Sequence, residues 1–339
     1  MTSVSRRGVV LLVAAALLLL AGPAGSQAPK QLIVTSFGGA YDDVLKAGAK
    51  AFEDRYGARV VIVPSSGADN LVKARNREVD VIHSDPIFSL RSEGEGLFEK
   101  LDERFVPNLS RLHPVARYSD YTVAVNMGAY VIAYNPTYVV KPTSWLDLAN
   151  PKYKDVVGLR AFRPENIDLI VLFAKMAGGS ERNPDAGFAK MREIAPNVHA
   201  WVATHAQMLQ LFKSREIWLS IWSDGRINWA QGEGANVKAA IPKEGVFALV
   251  TTVNVVKGRP NAELAQRYVN YLLEPASGIA MARALGYSPT NRDARLPQDL
   301  QDKLILNSQT FGQVRMADWR YIVSVYDQWN ERWQKEIVR

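Results

Sequence analysis

Residues 31–63 read QLIVTSFGGAYDDVLKAGAKAFEDRYGARVVIV, an alternation of apolar runs with one long amphipathic stretch. The runs at 31–36 and 59–63 are short, apolar and rich in β-branched residues, as buried strands are. Between them, apolar residues three and four positions apart at 41–56 predict a helix that ends at Gly57. A strand, a helix and a second strand in this order predict a parallel sheet covered by helices.

The same alternation continues beyond residue 63. A helix is predicted at 68–76 and a third strand at 79–82. Ligands of such sheets bind beyond the carboxyl ends of the strands. A second unit of strands and helices begins near residue 130, so the predicted fold class is α/β with a mostly parallel sheet.

The chain is predicted to pass twice between these two units, near 127–130 and 247–252. This connectivity predicts two Rossmann-like α/β lobes joined by a two-strand hinge, an arrangement that closes around a ligand. We expect lobe 1 to comprise 27–128 and 250–339, and lobe 2 to comprise 129–249.

The first 26 residues are predicted to be a cleaved secretory signal peptide. Arg6 and Arg7 precede an apolar run at 8–22, which is short for a membrane span of roughly 20 residues. The small residues Ala24 and Ser26 favour cleavage after Ser26. Both the Sec and the twin-arginine export routes fit this segment, and an uncleaved anchor is the alternative. The predicted location of the mature protein is periplasmic.

The composition excludes several classes of protein. The chain has 339 residues, of which 47% are hydrophobic, with 41 Lys and Arg against 34 Asp and Glu. Because the basic residues are dispersed, we expect no nucleic-acid partner. The absence of cysteine excludes disulfides, thiolate metal sites and cysteine nucleophiles. The sequence has no Gly-x-Ser-x-Gly or His-Glu-x-x-His motif, which argues against a hydrolase.

A series of short motifs follows the predicted signal peptide. They are TSFGGAY (35–41), VDVIHSD (79–85), TSWLDL with PKYK (143–154), IWSDG (221–225), PKEG (242–245) and LGYSPTN (285–291). In this order they resemble the bacterial extracellular solute-binding proteins of ABC importers, in the spermidine/putrescine-binding branch, which have the type II periplasmic binding protein fold. The resemblance implies a receptor, not an enzyme, that uses no cofactor. It also implies a small-molecule solute between the lobes and docking onto the permease subunits at the inner membrane, and we expect a monomer.

The resemblance also assigns candidate ligand residues. In the polyamine binders, aromatic rings enclose the methylene chain of the ligand and carboxylates pair with its ammonium groups. The positions that match the family are Phe37, Tyr41, Ser84, Trp222 and Tyr287.

Two segments depart from the polyamine binders. After PKEG the family has a tryptophan and an acid, whereas residues 246–252, which include the candidate Thr251, have neither. After PKYK the family has an Asp and a Glu, whereas this chain has Arg160, Arg163 and Glu165. Arginine presents a planar fork suited to a carboxylate, and its charge repels a long tri-cation.

The predicted ligand is therefore a small amine-bearing solute, either a polyamine or an ω-amino acid such as GABA. For a zwitterion, Arg160 or Arg163 is predicted to bind the carboxylate. The amine is predicted to bind Asp85, Asp224 or Glu165.

Each candidate also has an ordinary structural interpretation. The aspartates fit turn or cap positions, the aromatic residues fit core packing, and the arginines fit an exposed surface. Residues 65–67 open a helix either as an anion site or as a plain cap. A receptor of the same fold for a small carboxylate, another anion or ferric ion is an alternative function, as is a sensor's binding module. A secreted hydrolase built on His83, Asp85 and a distant serine is a remote alternative.

Overall fold

The computed structural model describes residues 30–65, 67–307, 310–311, 314 and 317–338. The predicted signal peptide lies outside the described residues, and so does Ser66 of the predicted anion site. None of the helices within this part of the chain is both long enough and apolar enough to cross a membrane.

One mixed sheet contains the ten strands found in the described residues. They are β1 (Lys30–Ser36), β2 (Ala58–Pro64), β3 (Val81–Ser84), β4 (Val123–Tyr134), β5 (Val157–Arg160), β6 (Val198–Val202), β7 (Leu219–Ser223), β8 (Lys238–Ala240), β9 (Phe247–Val255) and β10 (Ser288–Pro289). The strand order is β2-β1-β3-β9-β4-β7-β5-β6, and β8 and β10 each pair with β4.

Helices cover this sheet. They are α1 (Ala40–Tyr56), α2 (Gly67–Arg75), α3 (Pro86–Gly94), α4 (Pro164–Met176), α5 (Asp185–Ile194), α6 (His205–Ser214), α7 (Asp224–Gly232), α8 (Ala262–Leu272), α9 (Pro275–Leu285), α10 (Gln298–Gln301) and α11 (Trp319–Glu336). Short 3-10 helices lie at Pro107–Arg111, Pro114–Ala116, Trp145–Ala149, Pro151–Tyr153 and Ala195–Asn197.

Parallel strand pairs lie on both sides of the sheet. β1 pairs in parallel with β2 and β3, and β5 pairs in parallel with β6 and β7. Between these groups, β4 and β9 run antiparallel to each other, and the second half of β4 pairs with β7. The predicted crossings near 127–130 and 247–252 lie in these two strands. The α/β fold class is confirmed, with an antiparallel centre.

The central strand β4 is longer than its sequence pattern predicts. The pattern predicts a strand only at 130–134, because Asn126 and Gly128 interrupt the apolar run. In the structure the strand begins at Val123 and is buried along its whole length. Its pairing with β9 supplies the backbone hydrogen bonds that the first half needs.

Two helices beside the candidate residues do not follow from the periodicity. α3 begins directly after Asp85, with Pro86 in its first turn, where a missing N–H has no consequence. α7 begins at Asp224 and is only nine residues long. Helices this short show little of the apolar periodicity on which a prediction depends.

The carboxyl-terminal helix α11 contacts segments of both predicted lobes, although the predicted boundaries place 250–339 in lobe 1. Its residues Trp329 and Trp333 pack in an apolar cluster with Phe162 and Phe188, which belong to the segment predicted as lobe 2. α11 also packs against α3, in the segment predicted as lobe 1. The exact division into lobes stays a prediction, and α11 contacts residues of both predicted lobes.

Candidate functional site

The carboxyl ends of β1 and β3 form one side of the candidate cleft. Phe37 and Tyr41 follow β1, and His83 and Ser84 end β3. We call these four residues the neutral wall. They lie at the strand ends where an α/β sheet binds its ligands.

Contacts with the backbone and with β4 fix the neutral wall. Asn126 donates a hydrogen bond to the Tyr41 hydroxyl at 3.3 Å, and the ring centroids of Phe37 and Tyr41 are 5.2 Å apart in an edge-to-face contact. Burial raises the pKa of Tyr41, which keeps the hydroxyl protonated. His83 Nδ1 lies 2.7 Å from the carbonyl of Thr35, and burial lowers the pKa of His83 to about 4. Both titratable groups are therefore uncharged at neutral pH.

Two polar atoms of the neutral wall have no hydrogen-bond partner among the described residues. His83 Nε2 and Ser84 Oγ are buried and make no hydrogen bond to any described residue. Since a carbonyl can only accept, His83 Nδ1 carries the ring proton and Nε2 is left as an acceptor. A buried polar group without a partner costs free energy, so both atoms are suited to bind a polar solute.

The turn between β5 and α4, together with α7, forms the opposite side. Arg160 ends β5, Arg163 precedes α4, Glu165 lies in the first turn of α4, and Arg226 lies in the first turn of α7. We call these four residues the charged wall. Asn166 donates to the carbonyl of Arg160 at 3.0 Å, which fixes the turn that carries the first three.

Glu165 is a buried carboxylate with unused acceptor sites. A nitrogen of Arg160 lies 3.5 Å from one of its oxygens, and the exposed fraction of the side chain is 1% for Glu165 and 15% for Arg160. Neither oxygen of Glu165 nor Nε of Arg160 makes a hydrogen bond within the described part of the chain. The lone pairs of this carboxylate therefore stay available to a hydrogen-bond donor of a solute.

Asp85 connects the two walls. It precedes α3, yet its carboxylate makes no capping hydrogen bond, so the cap interpretation does not hold. Burial raises the pKa of Asp85 to about 6, while the charges of Arg160 and Arg163 act to lower it and that of Glu165 to raise it. These interactions place Asp85 next to the charged wall, although it follows a strand of the other side.

Tyr287 and Asp224 pack against two glycines. A Cβ at Gly128 would lie 2.7 Å from the Tyr287 ring, and a Cβ at Gly225 would lie 2.9 Å from it, so both positions require glycine. Burial raises the pKa of Tyr287, and nearby Arg226 opposes the rise.

One oxygen of Asp224 accepts from the backbone N–H groups of Ala129, at 3.1 Å, and Gly225, at 2.9 Å. This carboxylate therefore ties β4 to α7, and burial raises its pKa to about 7.

Trp222 and Thr251 lie deeper in the molecule. Trp222 is fully buried and its ring is stacked with that of Phe212 at 5.8 Å, while its indole N–H donates to His205 at 2.9 Å. This environment is that of a core residue. Thr251 lies on β9 beside the hydroxyl of Tyr41. This contact acts to lower the pKa of Tyr41, but the opposite effect of burial is larger.

Several residues at the charged wall were not among the sequence candidates. They are Tyr130, His205 and Tyr326, each within electrostatic reach of Arg160 or Arg163, and Arg226, which is within electrostatic reach of His205. Arg226 follows the IWSDG motif directly, so that motif was a signal for it. Tyr326 had no such signal, because it lies on α11, far from the other candidates in sequence. Burial and the neighbouring arginines lower the pKa of His205 to about 2, so it stays neutral.

The described residues contain no group of three or more His, Asp or Glu side chains arranged to hold a metal ion. What the site offers instead is the buried pair of Arg160 and Glu165, within electrostatic reach of Asp85 and Tyr130. A mixed sheet with two parallel ends joined by antiparallel strands, and charged residues between those ends, defines a type II periplasmic binding protein fold.

The chain belongs to the bacterial extracellular solute-binding proteins, whose family model matches residues 76–324. It is 30% identical to the gamma-aminobutyric acid-binding protein of Pseudomonas aeruginosa, over 94% of this chain and 95% of that protein. It is 24% identical to the spermidine/putrescine-binding periplasmic protein of Escherichia coli, over 70% of this chain and 72% of that protein. The predicted family and the prediction of a receptor rather than an enzyme are confirmed.

Solved structures agree with the fold. An ABC transporter structure from Clostridium perfringens matches with a TM-score of 0.79 and 24% identity, over 90% of this chain and 99% of that one. The structure of a GABA receptor matches with a TM-score of 0.77 and 23% identity, over 90% of this chain and 97% of that one. At these identities the likeness establishes the fold.

Proposed function

We propose that this chain is the periplasmic receptor of an ABC importer and that it captures a small ω-amino acid such as GABA between its two walls. The observation that carries the proposal is Glu165, a fully buried carboxylate beside Arg160 and Arg163, whose two oxygens have no hydrogen-bond donor among the residues that the structure describes. A solute with an ammonium group and a carboxylate supplies both missing partners at once.

The balance of charge favours a zwitterion over a polyamine. The arginines Arg160, Arg163 and Arg226 outnumber the carboxylates Asp85 and Glu165. A third carboxylate, Asp224, carries only part of a charge at neutral pH, because burial raises its pKa to about 7. A tri-cation such as spermidine would be held in a region of net positive charge, where desolvation strengthens the repulsion. A ligand of zero net charge with one carboxylate avoids this repulsion.

The neutral wall suits the apolar part of such a solute. The rings of Phe37 and Tyr41 are in contact, Tyr287 is within electrostatic reach of both Tyr41 and Tyr130, and we propose that these rings cover the methylene chain of the solute. Rings can cover methylene groups and attract an ammonium group through their faces. The curated relative from Pseudomonas aeruginosa, named for gamma-aminobutyric acid binding, supports the same assignment.

Further parts of the proposal follow from the sequence. We propose that residues 1–26 are cleaved on export, that the mature receptor is monomeric, and that it delivers its solute to permease subunits at the inner membrane. The relatives named as periplasmic proteins support the location.

A ligand panel tests the proposed solute. The mature chain, 27–339, is unfolded and refolded to remove any bound solute and is then titrated calorimetrically with GABA, putrescine, spermidine, other amino acids, simple organic acids and ferric citrate. We expect GABA or a related ω-amino acid to bind, and a ligand at 100 times its Kd to stabilise the fold by about 2.7 kcal/mol. Binding of polyamines alone would overturn the assignment.

A diamine such as putrescine is the second candidate. Asp85 and Glu165 offer two carboxylates close together, which could hold two ammonium groups. The variant Arg163→Ala separates the candidates, because loss of this cation weakens a zwitterion and not a diamine. The matched control is Arg111→Ala, an exposed arginine on the 3-10 helix at Pro107–Arg111, outside both walls.

A further inference from the structure

Three neighbouring parallel strands end beside the charged wall. β5 pairs in parallel with β6 and with β7, and the register places Arg160 of β5 opposite Val202 of β6. The backbone N–H of Ala161 donates to the carbonyl of Val202 at 3.2 Å, so the two chains are still paired where they leave the sheet. The side chains that follow these strands therefore lie at one edge of the sheet, the edge at which ligands bind.

A nitrogen-bearing side chain lies at or just beyond the end of each of these strands. Arg160 ends β5, Arg226 follows β7 in the first turn of α7, and His205 follows β6 as the first residue of α6. The Nε atoms of Arg160 and Arg226 are buried and have no hydrogen-bond partner among the described residues. Within the same part of the chain, His205 makes a side-chain hydrogen bond through Nδ1 alone.

Trp222 determines which tautomer His205 adopts. The indole N–H of Trp222 donates to Nδ1 of His205 at 2.9 Å. Because an indole nitrogen can only donate, Nδ1 is the acceptor and cannot carry the proton of a neutral ring. Burial and three nearby arginines lower the pKa of His205 to about 2, so the ring is neutral. Its proton is therefore on Nε2.

Both partners of this hydrogen bond are held in place. Trp222 is fully buried, and its ring is stacked with that of Phe212 at 5.8 Å between centroids. A capping box formed by Thr204 and Gln207 fixes the backbone where α6 begins, and the backbone N–H of Gln207 donates to the Thr204 hydroxyl at 3.2 Å. With Nδ1 directed at Trp222, the Nε2–H group of His205 is directed away from it.

The three nitrogen groups at this edge call for an acceptor. Nε2–H of His205 and the Nε–H groups of Arg160 and Arg226 can only donate, and none of the three has an acceptor within the described ranges. The one acceptor atom of the imidazole is already used by Trp222, so the ring cannot bind an ammonium group. A carboxylate offers several lone pairs and accepts charge-assisted hydrogen bonds from such donors.

We propose that His205 is a specificity residue of the receptor, whose Nε2–H group donates a hydrogen bond to the carboxylate of the solute beside Arg160 and Arg226. Trp222, although it packs in the core, is a positioning residue that acts through His205. This proposal rests on the proposed function, because only a solute with a carboxylate uses the donor. It also adds a reason for the rejection of diamines, since Nε2–H cannot accept from an ammonium group.

Two solutes with the same carbon chain test the donor. GABA and putrescine share an ammonium group, and only GABA has a carboxylate. His205→Phe keeps a ring and removes the donor, so we expect the Kd for GABA to rise roughly 10- to 150-fold, as for a hydrogen bond to a charged group. The Kd for putrescine is expected to stay the same or to fall. His205→Gln keeps an N–H donor of similar reach and is expected to recover most of the affinity for GABA.

The matched control is His199→Phe. His199 is an exposed residue near the opposite end of β6, where it contacts Asp155 and Glu216, so this variant should bind GABA like the parent protein. The melting temperature of each variant shows that it is folded. Equal losses for GABA and putrescine in His205→Phe would mean that the ring only shapes the pocket. An unchanged Kd for GABA in this variant would remove His205 from the site, and either result overturns the proposal.

The tautomer of His205 is a readout that a purely structural role would not move. Nitrogen NMR of labelled histidine separates protonated from unprotonated ring nitrogens, and the chain has only four histidines, so His205→Gln identifies the signals of His205. We expect the proton on Nε2 in His205 and on Nδ1 in His83, whose Nδ1 lies 2.7 Å from a carbonyl, so the two residues serve as opposite references. A proton on Nδ1 of His205 in the ligand-free protein would contradict the proposal.

Trp222→Phe tests the positioning role. This variant keeps a ring beside Phe212 and removes the indole N–H. We expect both tautomers of His205 in the ligand-free variant, a smaller loss of GABA affinity than in His205→Phe, and a return to Nε2–H alone when GABA is bound. A single Nε2–H tautomer in the ligand-free variant would show that Trp222 does not set the tautomer.

The proposed function and the role of His205 can fail separately. If GABA binds and His205→Phe leaves its Kd unchanged, the solute is correct and the role of His205 is wrong. If polyamines alone bind, both are wrong. If no member of the ligand panel binds, the proposed solute is wrong and acetate becomes the probe. A titration with acetate that shifts the Nε2 signal of His205, and leaves that of His199 in place, then supports the carboxylate contact, and an unshifted signal overturns it.

Discussion

The neutral wall and the charged wall satisfy their polar groups in different ways. In the neutral wall, the Tyr41 hydroxyl and His83 Nδ1 have partners in the protein, and the atoms without a partner among the described residues, His83 Nε2 and Ser84 Oγ, belong to uncharged groups. The charged wall keeps Glu165 and Arg160 buried, and both oxygens of Glu165 and Nε of Arg160 lack a hydrogen-bond partner within the ranges that the structure describes. Since buried charges are costly unless paired and hydrogen-bonded, the second arrangement is the one that a bound solute completes. Specificity for the solute should therefore depend mainly on the charged wall.

The largest effect is expected from breaking the pair in the charged wall. Arg160→Ala leaves Glu165 buried without its cation, and removing one partner of a buried pair costs about 3–5 kcal/mol of stability. Urea unfolding of the ligand-free protein measures the change.

A double variant provides the control for this loss. Arg160→Ala with Glu165→Gln removes both charges, and we expect it to recover most of the stability, because a neutral buried pair needs no counter-charge. If Arg160→Ala alone unfolds at the same urea concentration as the parent protein, the ion pair of Arg160 with Glu165 does not stabilise the fold.

The next effect concerns ligand choice. Arg163→Ala is expected to weaken GABA binding by about 1.5–3 kcal/mol, roughly 10- to 150-fold, because it removes a charge-assisted hydrogen bond to the carboxylate. Binding of putrescine should stay the same or become tighter. Calorimetric titration measures both ligands, with Arg111→Ala as the control. Equal losses for GABA and putrescine would falsify the assignment of Arg163 to the carboxylate.

Asp85, between the walls, predicts a dependence on pH. Burial raises its pKa from 3.8 to about 6, so the folded protein holds a proton here that the unfolded chain releases at lower pH. Ionisation of Asp85 therefore lowers the stability of the ligand-free fold as pH rises from about 4 to about 6. The ammonium group of the solute requires the ionised carboxylate of Asp85. Affinity for GABA is therefore expected to fall by up to about tenfold per pH unit as the pH drops below 6.

Titrations at several pH values in the variant Asp85→Asn provide the control. This variant cannot ionise at position 85, so the same pH range should leave its weaker affinity nearly constant. If the affinity of both proteins depends on pH in the same way, the titrating group is not Asp85. Asp224, whose pKa is about 7, would then be the first group to test.

The two walls also differ in how far the sequence predicts them. The strand ends that carry Phe37 and Ser84 follow from local periodicity, since strand and helix patterns there are regular. Arg160 and Arg163 were found as departures from a family pattern, and Asp85 as the residue after Ser84, but their convergence depends on β4 and β9, whose pairing is long-range. Tyr326 could not be predicted from the sequence, because only tertiary packing brings α11 to the site. Trp222 was assigned to the ligand by its motif, and the structure places it in the core.

The smallest effect is expected on the neutral wall, at Ser84. Its hydroxyl is buried and has no hydrogen-bond partner in the described part of the chain. If the solute binds this hydroxyl, Ser84→Ala should weaken GABA binding by about 0.5–1.5 kcal/mol while leaving the ligand-free protein equally or more stable, because an unsatisfied polar group has been removed. Calorimetry and urea unfolding on the same samples measure the two quantities. A gain in stability with unchanged affinity would mean that the neutral wall contributes shape alone, and that the polar contacts of the solute all lie on Asp85 and the charged wall.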